Sequence, residues 1–209
     1  MKSLRFGALL MAASLCAACG KAAPAGEAAT ASPQGWQCGA SGGGSPKWTL
    51  EKEQSGSQTI EVLKQTGEAP YPWCVKPNLN VADGFVEVRF KAMAGREDQA
   101  GGVVWRWKDG NNYYVARANA LENNLSLYYT TGGTRHTLQY VDAPVAPKVW
   151  HRLRVEFAGS RVAVILDGKR YIDFTDTHIV GAGSVGVWTK ADSVTVFDEF
   201  SATPKETSK

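Results

Sequence analysis

Three apolar runs separated by two polar turns dominate the segment between residues 101 and 129. The turns read KDGNN and NALENN, and this arrangement is typical of three consecutive antiparallel strands. Because side chains alternate across a strand, the first run predicts Trp105 and Trp107 on one face and Arg106 on the other. Each run therefore has one apolar face and one mixed face.

The mixed faces of these runs combine polar and aromatic side chains. They carry Arg106, Tyr113, Arg117, Asn119, Ser126 and Tyr128. A sheet buried on both sides would not place two arginines and an asparagine there. We therefore expect one face to pack on a core and the other to meet water or a ligand.

Short runs of the same kind continue through the rest of the chain. No window shows sustained helical periodicity, and turn residues separate about a dozen short strands. This spacing predicts an all-β domain over residues 47–203, a sandwich or jelly roll, followed by a polar tail over residues 204–209. Pro72 interrupts the run at residues 71–75, which predicts an edge strand there.

The N-terminal segment has the features of an export signal. Lys2 and Arg5 precede an apolar run, residues 6–18, that is shorter than the about 20 residues needed by a membrane-spanning helix. Residues 1–18 are therefore predicted to be a signal peptide. The small residues before Cys19 resemble a bacterial lipoprotein signal, which implies that Cys19 carries a lipid. Plain secretion and a retained anchor are the alternatives.

The segment after that cysteine predicts a tethered domain. By resemblance to sorting rules, Gly20 indicates the periplasmic side of the outer membrane, with the lipid anchor as the only membrane contact. Residues 19–46 are rich in small and polar residues and predict a flexible tether, because they bury too little apolar surface to offset ordering entropy. In an oxidising compartment Cys38 and Cys74 are predicted to pair, the alternative being two free thiols.

Composition and charge narrow the classes of function. Hydrophobic residues make up 44% and charged residues 21%, as in a globular domain. The net charge of +3 falls to +1 without the two leader charges, and no basic stripe occurs, which argues against nucleic acid as a partner. No cofactor is predicted, and structural calcium stays an open alternative. Its candidate turn ligands are Asp109, Asp142, Asp167 and Asp192. The three histidines lack ligand spacing and are predicted to be structural, with His151 as a satisfied core histidine.

Three longer segments carry a resemblance to a known superfamily. GGVVWRWKDGNNYYVARANALENN, WHRLRVEFAGSRVAVILDGK and GSVGVWTKADSVTVFDEF resemble the concanavalin A-like lectin/glucanase superfamily. More closely, they resemble the laminin-G-like jelly rolls of the 3-keto-disaccharide hydrolase type. The match covers roughly residues 48–202 and implies an all-β, two-sheet antiparallel jelly-roll sandwich. It does not imply one activity, since fold and chemistry are separable.

The concave sheet of this fold often holds sugars, and the resemblance therefore implies a glycan as partner. Aromatic faces stack on sugar rings, and guanidinium and amide groups bond hydroxyls. The candidate ligand-binding residues are Arg106, Tyr113, Arg117, Asn119, Tyr128, Trp188 and Lys190. We expect Asp192 at the rim of the same cleft. The alternative is a surface ladder of cross-strand arginine–aromatic pairs.

The sequence contains no recognisable catalytic pair of carboxylates. Glycoside hydrolysis needs two carboxylates flanking the scissile bond, and the glucanase motif ExDxxE does not occur. Asp198 and Glu199 are adjacent and are predicted to point to opposite faces. Glu97 and Asp98 lie in a turn and are predicted to be solvated. Glu122, near the mouth of the concave sheet, is the catalytic candidate, with a plain loop-surface role as its alternative.

Three functional hypotheses follow. The first is a lipid-anchored cell-envelope module that binds carbohydrate through its concave sheet. The second is a hydrolase or lyase acting on 3-keto-disaccharides or other glycosides, and the third is a structural envelope protein with no glycan ligand. The missing carboxylate pair and the short loops favour the first or third hypothesis over an enzyme.

Overall fold

A computed structural model describes residues 32–204. The predicted signal peptide, the lipidation site Cys19 and all but the first residue of the polar tail lie outside these residues. The described residues form strands without any helix, so none could cross a membrane as a helix. The strands are β1 (Gln37–Ser41), β2 (Trp48–Ser55), β3 (Gln58–Gln65), β4 (Tyr71–Val81), β5 (Gly84–Ala94), β6 (Ala100–Asp109), β7 (Asn112–Asn119), β8 (Asn124–Thr131), β9 (Thr134–Asp142), β10 (His151–Ala158), β11 (Arg161–Leu166), β12 (Lys169–Thr175), β13 (Gly183–Trp188) and β14 (Val194–Pro204).

The strands form two antiparallel sheets of seven strands each, which confirms the predicted all-β sandwich. The front sheet has the order β1-β4-β13-β6-β7-β8-β9, and the back sheet has the order β12-β11-β10-β5-β14-β3-β2. Alternation sets the core, because in β10 buried Leu153, Val155 and Phe157 alternate with half-exposed charged residues. The indole of Trp105 stacks on Tyr114 at 5.2 Å and on Phe157 of the back sheet at 6.0 Å. This stack joins the two layers.

A β-bulge in β6 overturns one prediction about side-chain direction. Arg106 has a φ of +47°, and the pairing of β6 with β7 loses its register between Trp105 and Asp109. A bulge adds a residue to one strand and so shifts the alternation of everything after it. Trp105 consequently faces the core, whereas Trp107 faces outward and packs on Trp73 at 5.1 Å. The prediction that both tryptophans share a face is wrong.

The same bulge removes Arg106 from the predicted ligand-binding set. Its guanidinium donates hydrogen bonds to the backbone carbonyls of Ile179 at 3.0 Å and Gly159 at 2.6 Å. It also bonds the carbonyl of Ala82 and lies 5.8 Å from the ring centre of Phe157 in the back sheet. Arg106 therefore closes one end of the sandwich, buried by neighbouring turns, and does not share a face with Arg117.

The end of the predicted tether belongs to the sandwich. Strand β1 pairs with β4, and a disulfide joins Cys38 to Cys74, which face each other in the register. The predicted tether therefore does not extend to residue 46, because cross-strand hydrogen bonds and the disulfide fix β1 although it is poor in apolar residues. Strand β4, which contains Pro72, was predicted to be an edge strand. This prediction is wrong, because β4 lies between β1 and β13.

Candidate functional site

The outer face of the front sheet holds a second apolar cluster, separate from the main core. Its members are Trp73, Val75, Val104, Tyr113, Val115, Tyr128 and Trp188, and none is more than 7% exposed. An outward sheet face normally meets water, so something must cover this one. The cover consists of side chains contributed by distant strands of the same sheet.

Three side chains form what we call the aromatic arch: Tyr71, Arg135 and Tyr128. Tyr71 and Arg135 lie over the cluster, and Tyr128 is the cluster member that Arg135 contacts. Tyr71 stacks on Trp188 with ring centres 6.0 Å apart. The guanidinium carbon of Arg135 lies 4.7 Å from the ring centre of Tyr71 and 4.3 Å from that of Tyr128. In a flat sheet the strands of Tyr71 and Tyr128 would be about 19 Å apart. The front sheet is therefore concave, and its two sides meet over the middle.

A second contact bridges the concave face beside the arch, because Ser41 pairs with Tyr71, and Tyr113 is in register with Arg135 through Thr130. The hydroxyl of Tyr113 on β7 lies 2.8 Å from Oγ of Ser41 on β1, and Ser41 donates in turn to the carbonyl of Gly110. The concave face is thus bridged at the end where the β6–β7 turn lies. The opposite end, where residues 95–99, 120–123 and 189–193 connect the strands, is where the polar residues gather.

A buried charged network occupies that end, formed by Asp98, Arg117, Asn119, Glu122 and Lys190. Arg117 donates to Oδ1 of Asp98 at 3.2 Å and to Oε2 of Glu122 at 2.6 Å. Asn119 donates to the same Oδ1 at 2.6 Å, and the ammonium of Lys190 contacts Oδ2. Arg117 and Asp98 are only 3% and 1% exposed. Two cations therefore share one buried carboxylate, which holds their geometry rigidly.

Glu122 is the member of the network that reaches water. Its side chain is 45% exposed, although Arg117 and the amide of Asn124 both donate to it. Burial by itself would raise the pKa of Glu122, but the hydrogen bond from Asn124 and the charge of Arg117 outweigh it, and the pKa lies below its usual value. Beside it, Tyr140 is 53% exposed, and its hydroxyl accepts a hydrogen bond from the amide of Asn124. Glu122 and Tyr140 thus accept from the same amide nitrogen, which places a fixed carboxylate beside an exposed tyrosine.

A cleft of about 770 Å³ opens next to this network. It is lined by Gly44, Glu68, Ala69, Pro70, Tyr71, Arg96, Glu97, Lys190, Ala191 and Asp192. The carboxylate of Asp192 accepts hydrogen bonds from the backbone N–H groups of residues 96, 97 and 98, at 2.7, 3.0 and 3.2 Å. Burial would raise the pKa of Asp192, but these bonds lower it overall. Asp192 therefore lies at the rim, as expected, and holds the loop that places Asp98.

The structure brings together some of the predicted site residues and separates others. Arg117, Asn119, Glu122 and Lys190 meet in the network, and Tyr128 stands beside them in the arch. Tyr113 and Trp188 lie on the same face but are buried in the apolar cluster. Trp188 thus acts as packing beneath Tyr71.

Sequence reasoning missed Asp98, Tyr71, Arg135 and Tyr140. Asp98 was predicted to be a solvated turn residue, and this is wrong because it is the buried centre of the network. Its burial depends on Arg117, Asn119 and Lys190, which come from other parts of the chain. No local sequence pattern marks Asp98. For Arg135 a signal was present, because the alternation in β9 places Arg135 and Thr137 on one face.

The other candidates lie away from this site. Glu199 has a φ of +48° at a bulge in β14 and pairs with Arg89 and Arg152 on the outer face of the back sheet. His151 is buried, with Nδ1 2.7 Å from Asp167, as predicted for a satisfied core histidine. Among residues 32–204, no three His, Cys, Asp or Glu side chains cluster as metal ligands would.

Comparisons with known proteins bear on the fold. No protein-family model matches the chain, and no curated protein does. Among solved structures, the chain is similar to the carbohydrate-binding module CBM66 from Bacillus subtilis, with a TM-score of 0.63 and 19% identity over 80% of this chain and 94% of that one. It is also similar to a Bacillus subtilis protein of unknown function with a galectin-like fold (TM-score 0.55, 10% identity, 80% and 88% covered). A third is a Bacteroides ovatus GH16 protein in complex with a G4G4G3G product (TM-score 0.53, 8% identity, 74% and 85% covered). At these identities the likeness shows the fold alone, and the chain has the concanavalin A-like jelly-roll fold.

Proposed function

We propose that the protein binds carbohydrate at the open end of its concave sheet, where the charged network and the cleft meet. The observation that carries the proposal is the pairing of a half-exposed carboxylate, Glu122, with an exposed aromatic ring, Tyr140. Buried partners hold the carboxylate in place, so ordering it costs little when a ligand arrives. A planar acceptor beside an aromatic face is the arrangement that a sugar ring and its hydroxyls require.

The chemistry of the site favours a neutral, hydroxyl-rich ligand. Glu122 is ionised at neutral pH, because its pKa is lowered, and it accepts hydrogen bonds from hydroxyl groups. The side chain of Lys190 is 21% exposed, and its ammonium supplies a donor on the cleft side. The surrounding charges largely cancel, since Lys190 also lies 3.7 Å from Glu97. A strongly charged ligand would meet opposing charges here, whereas a sugar would find donors and acceptors together.

The structural neighbours support this proposal. CBM66 is a carbohydrate-binding module, and the GH16 protein of the mixed linkage glucan system is in complex with a G4G4G3G product. Both share only the fold with this chain, so its own residues carry the proposal. Those residues supply an acceptor, a cation and an aromatic ring at the concave end.

The direct test is a glycan array followed by calorimetry on the glycans that bind. Glu122→Gln keeps the shape but removes the charge-assisted acceptor, and we expect binding about tenfold weaker or more. Tyr140→Ala removes the ring and should weaken binding by a similar factor. Arg161→Ala is the matched control, an exposed arginine on the back sheet. If the wild-type protein binds no glycan on the array, or if both variants bind as well as the wild type, the assignment of this site to carbohydrate is wrong.

We also propose that the domain is held in the bacterial cell envelope by a lipid on Cys19, on the periplasmic side of the outer membrane. The support is the sequence of the leader, with its basic start, apolar run and cysteine after small residues. Lipid labelling of the full chain and of its Cys19→Ser variant tests this. An unlabelled wild-type chain would leave only plain secretion or a retained signal.

A hydrolase or lyase acting on 3-keto-disaccharides is the second candidate, and the state of Glu122 favours it. A carboxylate that is ionised and half exposed can act as a general base. Against ordinary glycoside hydrolysis, Asp98 is buried and fully engaged, so it cannot serve as a second accessible carboxylate. Turnover assays on 3-keto and unmodified disaccharides separate the two candidates, and turnover lost in Glu122→Gln would establish the enzyme. The absence of both glycan binding and disaccharide turnover would support a structural role.

A further inference from the structure

We propose that the outer face of the front sheet takes an acidic glycan, with a carboxylate or sulfate group of that glycan bound to Arg135. The inference rests on the proposed function, because it names the chemical class of the carbohydrate. Its starting point is a group of buried hydrogen-bond donors on this face that have no acceptor among residues 32–204.

Arg135 differs from the other described arginines because no anion balances its charge. Six of them pair with a carboxylate: Arg89, Arg106, Arg117, Arg152, Arg154 and Arg170. Arg96 and Arg161 do not, but both are exposed and keep their hydration. Arg135 is half-buried, and its guanidinium makes no hydrogen bond or ion pair within the part of the chain that the structure describes. It has therefore lost part of its hydration without gaining an anion.

Four more buried groups without a partner lie on the same face of the front sheet: the indole N–H groups of Trp73, Trp107 and Trp188 and the hydroxyl of Thr130. Thr130 is the direct cross-strand neighbour of Arg135 in the pairing of β8 with β9. Trp107 packs on Trp73 at 5.1 Å. Trp188 stacks on Tyr71, whose ring centre is 4.7 Å from the guanidinium carbon of Arg135. Together with Arg135, these groups form what we call the donor cluster.

The donor cluster needs an acceptor that carries negative charge. Buried polar groups nearly always have a partner, so several unpartnered ones on one face mark a place that a ligand or water completes. Water would satisfy the indole N–H groups, but it would leave the charge of Arg135 uncompensated. A neutral sugar hydroxyl would bring a proton that itself needs an acceptor there. A carboxylate or sulfate only accepts, and a guanidinium can bind it through two parallel hydrogen bonds.

Arg135 is the member of the cluster that an incoming anion meets first. The indole nitrogen atoms beside it are buried, whereas the arginine side chain is half-buried and keeps part of its surface open to solvent. The anion therefore binds the guanidinium at the surface, and the indole N–H groups contribute to the positive potential beneath it.

The ionised carboxylate of Glu122 gives the glycan a direction. On the outward side of β8, Tyr128 lies between positions 126 and 130, which pair with Arg117 and Arg135. The ring centre of Tyr128 is 5.8 Å from the guanidinium carbon of Arg117 and 4.3 Å from that of Arg135. Arg117 is already bound to Glu122, whereas Arg135 has no anion. The acidic sugar therefore lies at Arg135 and a neutral sugar lies beside Glu122, which a chain of alternating acidic and neutral sugars provides.

The test is a glycan array that contains acidic glycans beside their neutral forms. It includes hyaluronan with its methyl ester and κ-carrageenan with its desulfated form, because both polymers alternate acidic and neutral sugars. The first pair tests a carboxylate and the second a sulfate. We expect the wild-type protein to bind at least one acidic glycan about tenfold more tightly than its neutral form, since hydrogen bonds to charged groups are the stronger ones. Calorimetry on each pair that binds measures this ratio of affinities.

Arg135→Gln removes the charge but keeps a donor on a long side chain, and it should bring the ratio close to one. Arg161→Gln is the matched control, because it removes the same charge at an exposed arginine of the back sheet, and it should keep the wild-type ratio. Arg135→Lys keeps the charge but cannot form two parallel hydrogen bonds, so its ratio should lie between these values. Urea unfolding shows which variants fold, and Arg135→Lys replaces Arg135→Gln in the comparison if the glutamine variant does not.

The outcomes separate this inference from the function on which it rests. A wild-type protein that binds only neutral glycans, or binds neutral and acidic forms equally, overturns the acidic ligand and leaves carbohydrate binding intact. A wild-type ratio in the folded Arg135 variant overturns it too, as does a ratio that falls equally in Arg161→Gln, because the anion would then not depend on Arg135. A wild-type protein that binds no glycan on the array overturns the proposed function, and this inference with it.

Discussion

The Asp98→Asn substitution should destabilise the protein more than any other single charge removal at the site. Asp98 is 1% exposed and receives donors from Arg117, Asn119 and Lys190. An asparagine keeps the shape but carries no charge, and its amide nitrogen must face one of these donors. The guanidinium of Arg117, itself buried, would then keep only Glu122 as its counter-charge.

Removing one partner of a buried ion pair costs about 3–5 kcal/mol, because the other charge stays buried without compensation. The amide retains one accepting oxygen, so we expect about 3 kcal/mol for Asp98→Asn. With a urea m-value of about 2 kcal/mol/M, the unfolding midpoint would fall by about 1.5 M. Urea denaturation followed by tryptophan fluorescence measures this directly.

Glu97→Gln is the matched control for that experiment. Its side chain is 72% exposed and 3.7 Å from the same lysine, so the change should cost under about 0.5 kcal/mol. A midpoint for Asp98→Asn within about 0.5 M of the wild type would refute the reasoning. It would mean that Arg117 and Lys190 do not depend on Asp98 for their burial.

Three further changes test other parts of the fold. Replacing Cys38 and Cys74 by serine opens a loop with a sequence separation of 36, which should cost about 4 kcal/mol in the urea unfolding free energy. In Gly186→Ala the new Cβ would lie 2.2 Å from a backbone carbonyl, so thermal unfolding should show a large loss of stability or no folded protein. Burial would raise the pKa of Asp176, but hydrogen bonds from Tyr114 and the residue-178 backbone lower it overall. Because the folded pKa is lowered, ionised Asp176 stabilises the fold at pH values above the unfolded pKa of 3.8. This stabilisation is lost as the pH falls through the folded pKa. The urea midpoint of Asp176→Asn should therefore depend less on pH below 3.8 than the wild-type midpoint does.

The sequence by itself determined the all-β class and most strands. The alternation in residues 85–92 and 150–157 falls on β5 and β10, because a sandwich strand with one buried face repeats every two residues. The same logic placed Arg117, Asn119 and Tyr128 on an outward face. These properties are local, since each strand carries its own pattern of apolar and polar positions.

Only the tertiary structure decided which of those outward residues belong to the site. The positive φ of Arg106 reversed its direction, and nothing in the run VVWRWK marks the extra residue of a bulge. Asp98 became a buried centre because three donors from other segments meet there. Tyr71 and Arg135 met because the sheet curves until strands that are distant in its order come together. Strand curvature and long-range pairing are properties of the whole sheet, so no short stretch of sequence contains them.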